Sequence, residues 1–252
     1  MDSVNLRYID DGDGTPESEW LDWLHHRGLP RIGAADLVGP RQRAVVIAPH
    51  PDDEILGCAG LIQVLHGAGV PLELIAVTDG EASHPGSREW TPPALAERRA
   101  AEVRTALALL GTPALAPRRL RLPDGGVSAN EERLRQQLME LVTPTDTLLT
   151  TWRFDGHPDH EACGRAGAAV ALATGATLME FPIWAWHWAR PGSGDLPWER
   201  ARRLALDPAV QARKSAALGA FVSQTEARGD DDPVLPPAVL QRLLTNCEVY
   251  FL

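Results

Sequence analysis

Strand-like runs alternating with helix-like stretches limit this chain's folding options most. The runs are "AVVIAP" (44–49), "LELIAVT" (72–78), "RRLRL" (118–122), "TLLTT" (147–151) and "TLMEFPI" (177–183). The first is continuously apolar, as a strand buried on both faces must be. Helical patterns fill the gaps: roughly 54–66, "PPALAERRAAEVRTALALLG" ended by Gly111, "EERLRQQLMELV" (131–142) and 159–174. Such alternation, punctuated by Gly and Pro, predicts an α/β fold with a mostly parallel sheet covered by helices. A further helix near 208–222 and a last strand "CEVYFL" complete the tail. "TPESEWLDWLHHRGLP" predicts a short helix before the sheet, with Thr15 as N-cap, Pro16 at its first position and Gly28 at its end. Residues 1–14 form a polar lead-in.

In such sheets ligands bind beyond the carboxyl ends of the strands. "HPDDE" (50–54) follows the first strand and "HPDH" (157–160) the fourth, with Asp79, Glu81 and Asp124 after strands two and three. An isolated His-Pro or Asp-Asp in a loop is usually a turn or a cap. Two imidazole–carboxylate clusters on one rim favour chemistry. His and Asp suit zinc, and a catalytic zinc site takes three protein ligands and leaves one position open. His50 and Asp53 are three apart across a proline turn, as are His157 and His160. A site of His50, Asp53 and His160 would leave Asp52 and His157 beside the ion. There Asp52 could serve as general base, and His157 as acid or oxyanion donor.

Composition narrows the partners. The net charge of −10 argues against non-specific binding to nucleic acid or anionic membranes. No apolar segment is long enough to span a bilayer. The first residues have neither the basic start nor the apolar run of a signal peptide. Three cysteines without a CxxC pair make a disulfide framework improbable, and a cytoplasmic location is expected. Cys58 and Cys163 read as helix packing residues.

"PHPDDE" (49–54) with the later "HPDH" resembles the LmbE/PIG-L family of zinc-dependent N-deacetylases, which act mostly on N-acetylglucosaminyl conjugates. "RAAE" (99–102), "LPDGG" (122–126) and "KSAALGAFVSQ" (214–224) extend the likeness, which covers roughly residues 43–252. It implies a Rossmann-like three-layer sandwich with helices on both faces of the sheet. It divides the chain into an N-terminal extension (1–42), bearing the short helix, and a deacetylase domain (43–252). By position it implies one zinc per chain on His50, Asp53 and His160. Asp52 would be the base, His157 the acid or oxyanion group, and Asp159 would orient a histidine. Arg99 and Asp124 would contact the substrate. The expected reaction releases acetate and a free amine from an N-acetylglucosamine-type conjugate. Two alternatives use the same site: a zinc-dependent hydratase of an unsaturated acid, and a non-catalytic, metal-stabilised binding protein. Spare residues at Asp52 and His157 argue against the latter. Homo-oligomerisation is left open.

"FPIWAWHWARPG" (181–192) has no counterpart in that likeness. Read as extended chain, it puts Trp184, Trp186 and Trp188 on one face and His187 on the other. Trp184 and Trp186 are candidate substrate contacts, since indoles pack well on the apolar faces of sugars. A core or subunit contact is the competing reading for these tryptophans. Trp90, in "SHPGSREWTPP", is a candidate lid residue or loop anchor, and neither His84 nor His187 is expected to bind metal.

Overall fold

The computed structural model describes residues 9, 12–33, 36, 42–87, 90–227 and 232–252. Most of the lead-in lies outside this set. In chain order the elements are α1 (Glu17–Arg27), β1 (Arg43–Ala48), α2 (Asp53–Gly67), β2 (Leu72–Thr78), α3 (Pro92–Leu109), β3 (Arg118–Leu122), α4 (Glu131–Leu141), β4 (Asp146–Thr151) and α5 (Pro158–Thr174). They continue with β5 (Thr177–Phe181), α6 (Ala185–Trp188), β6 (Ala201–Ala205), α7 (Pro208–Leu218), α8 (Val222–Thr225), α9 (Pro237–Leu243) and β7 (Cys247–Phe251).

One seven-stranded sheet runs in the order β3-β2-β1-β4-β5-β7-β6. The first five strands are parallel, and β7 runs antiparallel to both β5 and β6. Period-two alternation splits β1 between two cores. Ala44, Val46 and Ala48 join the cluster that includes α2 and α3, while Val45 and Ile47 join the one beneath α4 and α5. Both faces are therefore covered, as the unbroken apolar run of β1 demanded.

β1 is flanked by β2 on one side and β4 on the other. Strand order reverses there, and such a switch point opens a crevice at the carboxyl ends of the strands. The loops after β1 and β4 lie across that crevice, which explains how residues a hundred positions apart can share a site.

Close approach fixes two glycines. A Cβ on Gly57, in α2, would run into the Phe181 ring. A Cβ on Gly164, in α5, would sit 2.6 Å from the backbone of Arg153. Each helix following a polar cluster is thus pressed onto the sheet where its cluster begins.

Several expectations need correction. Thr15 does not cap α1; its hydroxyl donates to the Ala189 carbonyl at 2.5 Å. Gly28 does end the helix, at φ 63°. β6 and α9 had no clear sequence signal. The 181–192 stretch is not extended: residues 185–188 form a helical turn, closed by the His187 N–H donating to the Trp184 carbonyl at 2.8 Å. Residues two apart on a helix point in different directions, so Trp186 separates from Trp184 and Trp188. Trp188 donates from Nε1 to the Asp155 carbonyl at 2.7 Å. Trp186 is buried edge-on against Trp20 of α1, centroids 4.9 Å apart, and the Trp20 indole N–H donates to the Trp186 carbonyl at 2.8 Å. Trp186 is therefore packed in the core and is not among the described residues lining the cavity that holds His50 and His160. Trp186→Ala should cost about 3–5 kcal/mol of stability, read from denaturant unfolding; an unchanged transition would contradict the packing described.

Candidate active site

The turn after β1 places the first cluster. Asp52 has φ 135°, a strained value for a residue with a Cβ. Its N–H donates to Oε2 of Glu54 at 3.2 Å, and its carbonyl accepts from Ile55 and Leu56 at the start of α2. This bend separates two adjacent carboxylates. Asp53 turns toward the histidines, whereas Asp52 turns toward Arg99, whose Nη2 donates to Asp52 Oδ2 at 2.9 Å. The same guanidinium donates to the carbonyls of Pro51 (2.7 Å) and Gly80 (3.1 Å). Arg99 lines the cavity, but its two Nη atoms are engaged by Asp52 and by the Pro51 and Gly80 carbonyls.

The second cluster opens α5. His157 is the helix N-cap, its Nδ1 accepting the Asp159 N–H at 3.2 Å. His160 lies one turn inside and is buried. Its Nε2 is 3.3 Å from Asp53 Oδ2 and 3.3 Å from His50 Nδ1, and that Nδ1 is 3.3 Å from the same Asp53 oxygen. Three donor atoms thus form a nearly equilateral triangle. Ligands about 2.0–2.1 Å from a tetrahedral zinc lie roughly 3.3–3.4 Å apart. One carboxylate and two imidazoles of this spacing fit the ion in both chemistry and size.

The far sides of both rings are held. His50 Nε2 lies 3.3 Å from Asp159 Oδ2 and 3.2 Å from Asp124 Oδ1. Asp159 is fixed by the N–H groups of Gly125 and Val127, and Asp124 by the Ala82 N–H. His160 Nδ1 lies 2.8 Å from Asp155 Oδ2. Carboxylates behind metal-binding imidazoles set the tautomer and raise ligand basicity. Two other donor groups are also compact, His50–His157–His160 and His50–Asp124–Asp159, each within 4.8 Å. The latter uses the far nitrogen of His50, which belongs to its carboxylate supports. In the former, His157 has Nδ1 engaged by backbone. The triangle with Asp53 has all three edges at 3.3 Å.

Charge follows geometry. Burial pushes the Asp53 carboxyl up, but His160 and His50 outweigh it and hold the group well below the usual range. Burial disfavours charge on His160, yet Asp53 and Asp155 raise it to about 9. Burial raises Asp52 to about 7 against the pull of Arg99. Burial, reinforced by His160 and His50, lowers His157 to about 3, so that ring is neutral. With Nδ1 accepting from backbone, its proton sits on Nε2.

His50, Asp52, Asp53, Arg99, Asp124, His157, His160 and Trp184 line one cavity of about 250 Å³. Gln224 also reaches it, positioned through the "RAAE" helix: Glu102 accepts from the N–H and hydroxyl of the adjoining Ser223, at 2.9 and 2.6 Å. Among the described residues, His84 and His187 belong to none of the metal-capable groups.

The match to a known family spans residues 45–171 and is to PIG-L, the GlcNAc-PI de-N-acetylase family. The chain belongs to the PIG-L family. It is 30% identical over 136 residues to a Bacillus subtilis protein described as a probable N-acetyl-alpha-D-glucosaminyl L-malate deacetylase, covering 50% of this chain and 59% of that protein. It is 24% identical over 233 residues to a Kineococcus radiotolerans 1D-myo-inositol 2-acetamido-2-deoxy-alpha-D-glucopyranoside deacetylase, covering 79% of this chain and 61% of that one. The chain therefore spans about three fifths of these curated relatives. The crystal structure of a zinc-inhibited form of teicoplanin deacetylase superposes with TM-score 0.60 at 17% identity, covering 73% of this chain and 85% of the other. The matched span contains both paired motifs. The same fold brings two carboxylates that residue spacing did not single out. Glu54 sits inside the first quoted motif and Asp155 two residues before the second, but their support roles follow from backbone geometry. Asp155, fully buried, also accepts the N–H groups of Ile183, Trp184 and Ala185. Among the described residues, no helix is long and apolar enough to cross a membrane.

Proposed function

We propose that this PIG-L protein is a zinc-dependent hydrolase that removes acetyl from an N-acetylglucosamine-type conjugate. The mutual 3.3 Å spacing of His50 Nδ1, Asp53 Oδ2 and His160 Nε2, with the Asp52 carboxylate beside it, carries the reading. The names of the relatives support the substrate class. His50, Asp53 and His160 would hold one zinc. Bound there, the ion would supply Lewis acidity that polarises the amide carbonyl and acidifies water.

The chain supplies the rest. Asp52, oriented by Arg99, takes a proton from the attacking water and delivers it to the departing amine nitrogen. A carbon–oxygen bond forms at the acetyl carbon, and the carbon–nitrogen bond breaks. His157, neutral with its proton on Nε2, donates to the developing oxyanion. It acts by hydrogen bonding rather than as an imidazolium acid. Asp159 and Asp155 keep the rings of His50 and His160 aimed.

Acetate release from N-acetylglucosaminyl conjugates, abolished by a chelator and restored by zinc, tests the reading. Water addition to an unsaturated acid without acetate release would move the site to hydratase chemistry. Zinc should be titrated up to one equivalent, since one related structure is a zinc-inhibited form.

Metal affinity should depend on pH. His160 is raised to about 9 and His50 well above its ordinary value, so near neutrality a metal must displace protons from both. Lowering pH favours the protonated, metal-free form. Affinity should rise with pH by roughly tenfold per unit for each proton displaced, the slope easing as each ring loses its proton. Chelator competition at pH 6, 7 and 8 measures this; a flat profile would rule out proton-coupled binding at these rings.

A further inference from the structure

We infer that the aglycone of the substrate occupies a second cavity, continuous with the first, and that it is bulky, largely apolar and free of anionic groups. This rests on the deacetylase reading above. At about 250 Å³ the catalytic cavity is smaller than the ~300–1,000 Å³ usual for ligand sites. It can take an acetylated sugar but little beyond it. A neighbouring cavity of about 610 Å³ shares Trp184 and Val234 with it. A sugar with its acetyl group at the triangle would send its substituent past the Trp184 indole into this second space.

The lining defines what fits. Its apolar wall includes Ile9, Val239 and the rings of Pro233, Pro236 and Pro237. A proline has no backbone N–H, so this wall is poor in donors for an anion. The charged side chains among the described lining residues are Asp13 and Asp232, both carboxylates. They come from acidic stretches at opposite ends of the chain, "IDDGDG" (9–14) and "GDDDPV" (229–234). Two nearby cations among the described residues are committed: buried Arg242 donates from Nε to the Thr15 carbonyl at 2.6 Å with its Nη1 3.2 Å from His187 Nδ1, and Arg190 Nη1 donates to the Thr15 hydroxyl at 3.1 Å. A carboxylate or phosphate on the aglycone would meet like charge, with no Lys or Arg among the described lining residues. An aromatic or alkyl group would bury apolar surface against proline and tryptophan.

The test compares three β-N-acetylglucosaminides with the zinc-loaded protein: methyl, 4-phenylbutyl and 4-carboxybutyl. The phenylbutyl conjugate should exceed both others in kcat/KM for acetate release by roughly tenfold or more. Ala238→Trp, which fills the second cavity, should shrink the phenylbutyl-to-methyl ratio toward one. Asp232→Lys, at an exposed position, should raise kcat/KM selectively for the carboxybutyl conjugate. Equal use of all three conjugates, or a parental preference for carboxybutyl, overturns the inference and leaves the deacetylase reading intact. Absence of acetate from all three sinks the deacetylase reading instead. Calorimetric binding of the phenylbutyl and carboxybutyl conjugates then decides the cavity on its own. Tighter phenylbutyl binding that Ala238→Trp or Asp232→Lys weakens relative to carboxybutyl upholds it, and indifference to both substitutions overturns it.

Discussion

Asp52→Asn should leave a metal-loaded protein whose turnover is lower by roughly 10²–10⁴-fold, the usual range for losing a general base. The substitution keeps shape and an acceptor oxygen for Arg99, whose Nη2 lies 2.9 Å from the present carboxylate. It removes the capacity to take a proton. Asp52 contributes no edge to the donor triangle, so zinc content and substrate affinity should change little. Asp53→Asn is the paired control, because its oxygen lies 3.3 Å from both imidazole nitrogens. That variant should lose metal and recover partly in excess zinc. Turnover must be compared at matched zinc loading, since metal-free protein would mimic a missing base. An Asp52→Asn protein that arrives without zinc, or works at the parental rate, would reverse the assignment.

His160→Ala should have the larger effect on the metal. Loss of a partner behind a metal-binding imidazole already costs roughly 10–100-fold in affinity; loss of the ligand should exceed that. Two further costs are local. Asp155 would lose its 2.8 Å contact with Nδ1, and Asp53 one of the two groups that hold its charge. The purified variant should carry little zinc by elemental analysis. Full occupancy would remove His160 from the ligand set. A folded far-ultraviolet spectrum beside an empty site would show that the loss is not general unfolding.

The paired motifs were legible because they sit where the fold needs loops. β1 announces itself by apolar content, and whatever follows a central parallel strand faces the crevice. His50, Asp53 and His160 could therefore be grouped before any coordinates were considered. The divergence of Asp52 from Asp53 was also expected, though its cause, a backbone at φ 135° tied to Glu54, was not. Asp155 escaped notice because its partners are three backbone N–H groups almost thirty residues away, and such bonds leave no residue-type pattern. The same contacts explain the error over the tryptophans. Alternation in "WAWHW" reads as a strand, but a buried carboxylate gathering successive N–H groups imposes a helical turn. β6, "ARRLA", hides for another reason: it is an edge strand beside β7, and its arginines carry no apolar alternation.

Asp155 also joins two properties that could otherwise vary separately. One carboxylate steadies the imidazole of His160 and the backbone of Trp184, the residue standing between the two cavities. Replacing it to reshape that partition would disturb the metal as well. The segment 232–239, a loop running into the first turn of α9, lines the outer cavity together with Ile9, Gly12 and Asp13, and none of these residues belongs to the donor triangle. Directed engineering thus faces an uneven terrain: a new aglycone is reached with least disturbance by exchanging these peripheral segments, whereas redrawing the partition puts the histidine it leans on at risk.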